Sequence, residues 1–209
     1  LNTIPVSAIS QVQVLRDGAS AQYGSDAIAG VINLGLREAR EGGQVTATYG
    51  RYATDIPLID QGRTASDGET AVLSGWVGLP LGPDGFPTLS AEYRDREPTN
   101  RAGPDSRQQY PSLPGGGLDP RETEFDRINH RFGLARAESL SLFANAGLDL
   151  DSGAELYGWA SYQQRDGEAA GFYRRALDGR NTLAIYPDGF LPLIVTDIED
   201  YSALGGVRG

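Results

Sequence analysis

Long segments in which apolar and polar residues alternate constrain this chain more than any other feature. In 138–151 the even positions from Leu140 to Leu150 are apolar, whereas the odd positions from Ser139 to Asp149 are mostly polar or small. Successive side chains of a β-strand point to opposite faces, so this period of two predicts a strand with one apolar face. The same pattern occurs in 42–52, 69–81, 88–97 and 154–166. Five strands of about ten residues or more exceed the ~5–6 residues usual in globular proteins.

The connections between these segments alternate between long and short. About fourteen residues (54–67) separate the first two segments, and the turn GPDGF (82–86) separates the second from the third. About forty residues (98–137) precede the fourth, the turn DSG precedes the fifth, and a long stretch rich in Gly, Arg and Tyr follows it. This alternation is typical of transmembrane barrels, whose strands need ~9–11 residues to cross the membrane. A soluble sheet with one solvated face shows the same strand pattern, so both classes stay open here.

Composition narrows the class of protein further. The net charge is −10 and no compact basic patch is visible, which argues against a nucleic-acid partner; all 18 basic residues are arginine. The absence of Cys excludes disulfides and thiolate metal sites. No apolar run approaches the ~18 residues of a membrane-spanning helix, so a membrane role would use strands. Because the chain contains no Met, we expect Leu1 not to be a translation start and the chain to be a fragment.

The segment before Gly42 has a different pattern. Pro5 suits the first turn of a short helix that includes Ile9, and 11–15 (QVQVL) alternates as a strand. Ser and Asp at the start of SDAIAG suit the cap of a second short helix, after which the chain returns to a strand through Val31. These patterns predict a small α+β unit.

The stretch IPVSAISQVQVLRDGASAQYGSDAIAGVINLGLR resembles the second half of the plug domain of TonB-dependent outer-membrane receptors. The family pattern is Ile-Pro, a short helix, a Val-Glu-Val-Leu-Arg strand, a Gly-Ala-Ser-Ala-Tyr-Gly turn, and Ala-Ile-Ala-Gly-Val-Ile-Asn. The chain departs from it at Gln13, where the family strand usually carries Glu, and at Ile9 and Ser10, where a Glu-Arg pair is common. The residues that match the plug motif are Arg16, Asp17, Gly18, Ser20, Tyr23, Gly24, Asp26, Gly30 and Asn33.

The resemblance implies a mainly β fold, with part of a transmembrane antiparallel β-barrel preceded by part of a small α+β plug domain. Residues 1–41 would be the C-terminal half of the plug. Residues 42–209 would be the first five or so barrel strands, with long extracellular loops. Arg16 ends the plug strand, so we expect it to pair with an acidic side chain on the inner barrel wall.

The resemblance also implies a function. Receptors of this family lie in the outer membrane of Gram-negative bacteria and use energy delivered by TonB to take up a scarce nutrient, such as a ferric siderophore. The expected partners are outer-membrane lipid, TonB of the inner-membrane complex, and a small-molecule or metal-chelate substrate. The segment that TonB contacts would lie upstream of Leu1, and no cofactor is implied. The candidate substrate contacts are Arg94, Arg96, Arg101, Tyr110, Arg127 and Arg131.

Signatures of catalysis are few in this sequence. GASAQ lacks the closing Gly of a nucleophile elbow, and there is no Gly-rich phosphate loop, so we predict no enzyme and no catalytic residue. His130 has no second His or Cys nearby and is expected to be a solvated loop residue without metal. Two alternatives remain: a passive porin-like or adhesive outer-membrane barrel, and a soluble secreted β-sheet binding protein. Each candidate arginine could also simply pair with an acidic residue in a solvated loop.

Overall fold

A computed structural model describes residues 3–16, 30–57 and 62–209. Two 3-10 helices occur, at Val6–Ala8 and Pro120–Thr123, and the remaining regular elements are strands. No helix in these ranges is long and apolar enough to cross a membrane. The strands are β1 (Ile9–Leu15), β2 (Val31–Leu36), β3 (Gly43–Ile56), β4 (Arg63–Gly78), β5 (Gly85–Arg96), β6 (Arg136–Asp149), β7 (Glu155–Ala170), β8 (Arg174–Arg175), β9 (Gly189–Phe190) and β10 (Leu193–Arg208).

The main sheet contains six antiparallel strands in the order β10-β7-β6-β5-β4-β3. The prediction of a mainly β fold is confirmed. In the described part of the chain the sheet is open, because β3 and β10 each pair along one edge only.

Two details of the predicted strand plan are wrong. The 54–67 connection is shorter than expected, because β3 and β4 continue to pair as far as Ile56 and Arg63. The stretch after β7 also contains a sixth long strand, β10, which pairs with β7 along its whole length. Asp197 and Glu199 interrupt the apolar face of β10 that carries Tyr201, so period two did not reveal this strand.

The two faces of the sheet are inverted relative to a water-soluble protein. On β6, Leu140 and Leu142 are 37% and 43% exposed, whereas Ser141 and Asn145 are only 5% and 9% exposed. Soluble domains bury their aliphatic side chains and expose their polar ones. We call the face that carries Ser141 and Asn145 the inner face, and the face that carries Leu140 and Leu142 the outer face. The apolar outer face has no protein covering in the described structure.

β1 and β2 form a hairpin whose base, at Ser7 and at 37–39, contacts the inner face, while most of β1 is exposed. Both predicted strands are confirmed, with Leu15 opposite Val31 in the antiparallel register. The predicted first helix is only the 3-10 turn Val6–Ala8, and Ile9 begins β1 instead. The predicted second helix falls in 17–29, outside the described residues. The described part of this segment therefore shows a β-hairpin and a turn, and no α+β unit.

The long connections pack together at one end of the sheet. Residues 97–135 join β5 to β6, and residues 171–192 join β7 to β10 and contain β8 and β9. We call these two connections the cap. At the opposite end, residues 79–84 and 150–154 form short turns. The predicted alternation of short and long connections is confirmed for these four.

Candidate ligand site on the inner face

The hairpin is joined to the inner face by hydrogen bonds from both sides. Asn145 donates its side-chain amide to the carbonyl of Arg37 (3.1 Å), and Ser7 donates its hydroxyl to the carbonyl of Ala91 (3.3 Å). The Arg37 guanidinium lies 4.4 Å from the centre of the Trp76 ring, a cation–π contact. These contacts hold the hairpin at a defined place on the polar side of the sheet.

The structure describes three of the nine plug-motif residues. Gly30 has φ +125, and a Cβ at this position would collide with the Leu15 carbonyl oxygen, so only glycine fits where the chain re-enters the hairpin. Asn33 donates to the side-chain oxygen of Gln13 at 3.1 Å, so a neutral pair occupies the site where the family strand usually has Glu. Arg16 is exposed and forms no ion pair with a described residue. The other six, Asp17, Gly18, Ser20, Tyr23, Gly24 and Asp26, lie outside the described residues.

The six candidate substrate contacts do not form one site. Arg101, Tyr110, Arg127 and Arg131 lie in the cap, whereas Arg94 and Arg96 lie on β5. Each of the three candidate arginines in the cap has a carboxylate partner. Arg101 binds Asp67 with both terminal guanidinium nitrogens (2.7 and 2.9 Å). Arg127 binds Glu122 (2.6 Å), and Arg131 binds Glu168 (3.0 Å). Two of these pairs link the cap to β4 and β7, and the third lies within one connection, so the charges of all three arginines are already neutralised.

Tyr110 is a packing residue of the cap. Its side chain is 2% exposed, its ring meets Phe125 edge-on, and its hydroxyl donates to Asp188 at 3.0 Å. Burial and the Asp188 carboxylate raise the pKa of Tyr110 to about 12. The Arg121 guanidinium covers the other side of the ring, 4.0 Å from its centre, which leaves little of Tyr110 available to a ligand.

A closed ring of hydrogen bonds organises the centre of the cap. Asp105 accepts from Arg107 (2.6 and 2.7 Å) and from Asn129 (3.2 Å). His130 completes the ring: its Nδ1 lies 2.7 Å from the Asn129 oxygen, and its Nε2 lies 3.3 Å from an Arg107 nitrogen. A neutral imidazole with its proton on Nδ1 donates to Asn129 and accepts from Arg107, which satisfies both ring nitrogens.

The prediction that His130 is solvated is wrong. The residue is 7% exposed, and its ring stacks on Phe132 and meets Phe172 edge-on. Burial, helped by the neighbouring Arg107 and opposed by Asp105, lowers the pKa of His130. Burial opposes ionisation of Asp105 too, but the hydrogen bonds from Arg107, Gln109 and Asn129 outweigh it and lower the pKa of this carboxyl. No cluster of three or more metal-binding side chains occurs in the described ranges.

A cleft of about 330 Å³ lies between the N-terminal turn and the inner face of β5, β6 and β7. Unlike the cap, it brings together several basic side chains with hydroxyl and amide groups. The cleft is lined on one side by Ile4, Pro5 and Val6, and on the other by Glu92, Arg94, Arg96, Ala137, Ser139, Ser141, Gln163 and Arg165. Arg94 and Arg96 are the only sequence-predicted contacts in this lining. Arg165 was missed, although its odd number on β7 places it on the same face as Gln163 and would have indicated it.

A band of tyrosines crosses the outer face. Tyr93 is opposite Leu140, and Tyr162 is opposite both Leu142 and Tyr201 in the register of neighbouring strands. With Tyr49 on β3, all four tyrosines lie on the outer face within the strands. Rings in a band across an apolar face are typical of a lipid interface.

Comparison with known proteins bears on the N-terminal segment. Residues 1–31 match the family model of the TonB-dependent Receptor Plug Domain, and no solved structure matches the chain. The matched range contains eight of the nine plug-motif residues, all but Asn33, and it includes the turn at Ser7, which bonds to β5 on the inner face of the sheet. The match supports the prediction of a TonB-dependent receptor fragment.

Proposed function

We propose that this chain is the part of an outer-membrane TonB-dependent receptor in which the plug ends and the barrel begins. Residues 1–41 would belong to the plug, and residues 42–209 to the barrel wall, whose strands would cross the outer membrane of a Gram-negative bacterium. The receptor would take up a scarce nutrient, such as a ferric siderophore, with energy supplied by TonB. It would act by binding and transport, without a catalytic residue or cofactor.

One observation carries the proposal: a hairpin with plug sequence is hydrogen-bonded to the polar face of a sheet whose other face is apolar and bare. An apolar exterior supports contact with lipid. A polar interior supports a lumen, and the hairpin occupies that interior. A passive porin needs an open lumen, so the docked hairpin disfavours the porin-like alternative. A soluble sheet would leave the apolar face in water, which disfavours the secreted binding protein.

Fractionation of cells that produce the protein tests the location. We expect the protein in the outer-membrane fraction, resistant to extraction with high salt or carbonate because its apolar face is held by lipid. Recovery in the soluble fraction would contradict the membrane proposal.

Growth under nutrient limitation tests the transport. Cells with the gene should grow on a scarce metal chelate, and deletion of the gene or inactivation of TonB should each abolish this growth. If the gene supports growth equally well without TonB, the protein is a passive barrel and the energy-coupled proposal fails.

A further inference from the structure

We propose that the cleft on the inner face binds a small oxyanion-bearing solute through Arg94, Arg96 and Arg165. This inference rests on the proposed function, because it assigns a substrate class to a receptor. It replaces the six candidate contacts of the sequence with one site, and it adds a residue from β7 that none of them included.

Strand register brings the three arginines together. Ser139 on β6 is directly opposite Arg94 on β5 and directly opposite Arg165 on β7. Adjacent strands are ~4.8 Å apart, so the Cα atoms of Arg94 and Arg165 are about 10 Å apart with the small Ser139 between them. Arg96 follows two residues after Arg94 and therefore extends from the same face. Long side chains on either side of a serine leave a gap that a small anion can fill.

The cleft holds more positive than negative charge. Its lining contains three guanidinium groups and one carboxylate, Glu92, which accepts a hydrogen bond from Arg94 at 3.1 Å. The next acidic residue on this face is Asp200 of β10, which lies opposite Gln163 and is not part of the lining. This excess is unusual in a chain with a net charge of −10. A bound anion would balance it.

Two of the arginines lack a charged partner among the described residues. Arg96 donates one terminal nitrogen to the carbonyl of Ala135 at 3.2 Å, but its Nε is buried and has no hydrogen-bond partner. Arg165 is exposed to the cleft and forms no salt bridge within the described ranges. Two guanidinium groups of the cleft therefore have no described carboxylate to balance their charge.

The lining indicates which solutes fit. The planar guanidinium fork matches the oxygens of a carboxylate or a phosphate group. Ser139 and Ser141 add hydroxyl groups, and Gln163 donates to Ser141 at 3.0 Å, which orients that hydroxyl. Ile4, Pro5 and Val6 form an apolar wall opposite the arginines. A volume of about 330 Å³ accepts a small organic acid or phosphate, or the anionic end of a larger substrate.

Binding to the detergent-purified protein tests the proposal, with citrate and inorganic phosphate as separate probes in isothermal titration calorimetry. We expect at least one probe to bind, and to bind more weakly at high salt. Arg165→Ala should weaken that binding by about tenfold or more, because it removes charge-assisted hydrogen bonds to the anion. Arg94→Ala should weaken it as well. The matched control is Arg180→Ala, since Arg180 pairs with Asp178 on the exposed cap, away from the cleft. Circular dichroism confirms that each variant is folded.

The outcomes separate this inference from the proposed function. Binding of citrate alone identifies a carboxylate site, and binding of phosphate alone identifies a phosphate site. The inference fails if neither probe binds, or if Arg165→Ala binds as well as the unchanged protein. If growth depends on TonB but the binding test fails in this way, the anion site is contradicted and the proposed receptor function is not. Arg165-dependent binding without TonB-dependent growth supports an anion site and overturns the proposed function.

Discussion

At the scale of single residues, the role of a charged side chain depends on a partner that is distant in the sequence. Arg101 and Asp67 are bidentate partners although they lie on different elements, and Arg131 reaches Glu168 on β7. Residue type identified these arginines as possible ligand contacts, but only the fold shows that each of them is already paired with a carboxylate. The same holds for His130, which is surrounded by aromatic residues from both connections of the cap.

Acidification should loosen the cap through His130. Its pKa is lowered in the folded cap relative to the ordinary value of 6.5, so below about pH 6.5 the unfolded cap binds more protons and the folded cap loses stability. A proton on Nε2 would also bring two cations, His130 and Arg107, into contact. Among the described residues, Asp105 is the carboxylate next to the His130 ring, and Tyr173 beside it stays uncharged between pH 5.5 and 7.5. Limited proteolysis of 97–135 should therefore be faster at pH 5.5 than at pH 7.5.

The matched variant for this experiment is His130→Gln. Glutamine does not titrate between these pH values, so proteolysis of the cap should become nearly independent of pH in the variant. An unchanged pH dependence in His130→Gln would assign the effect to another group and contradict the prediction.

At the scale of elements, the alternating pattern predicted which strands form better than where they end. Period two is expected only where one face of a strand is apolar and the other polar, and a strand can extend beyond that stretch. Beyond it, backbone pairing continues without the pattern, as between Ile56 and Arg63 and throughout β10. The two strands of the hairpin could be predicted from 11–15 and Val31. Its docking site could not, because it depends on carbonyl and amide groups of distant strands.

The docking of the hairpin should weaken when the Asn145 amide is removed. Asn145→Ala leaves the Arg37 carbonyl without its donor in a partly buried site, and the net loss of one hydrogen bond is about 1 kcal/mol. Hydrogen exchange of the amides in 31–41 should accelerate by about fivefold. Asn181→Ala is the control, because Asn181 bonds only within the cap. Equal acceleration in both variants would indicate general destabilisation and contradict a specific docking role.

At the scale of the whole molecule, the two ends of the sheet are chemically different. The cap end carries long connections with paired charges and an aromatic core, and the other end carries only short turns. The sequence predicted this asymmetry from connection lengths alone. It could not predict that the cap is a packed unit, because its core joins Tyr110 and Phe125 to Tyr173 across the intervening β6 and β7.

The asymmetry predicts that the cap end faces the cell exterior. Because this chain contains no Cys, labelling of single introduced cysteines tests this prediction directly. Ser112 lies in the cap beside the glycine turn 115–117, and Ser152 lies in the short turn between β6 and β7; both are exposed, and Ser→Cys is nearly isosteric. On intact cells a membrane-impermeant maleimide should label Ser112→Cys and should reach Ser152→Cys only after the outer membrane is permeabilised. The unchanged protein measures the background. This orientation is expected because the short turns of a transmembrane barrel face the periplasm and its long loops face outward. Labelling of Ser152→Cys on intact cells, or equal labelling of both sites, would contradict it.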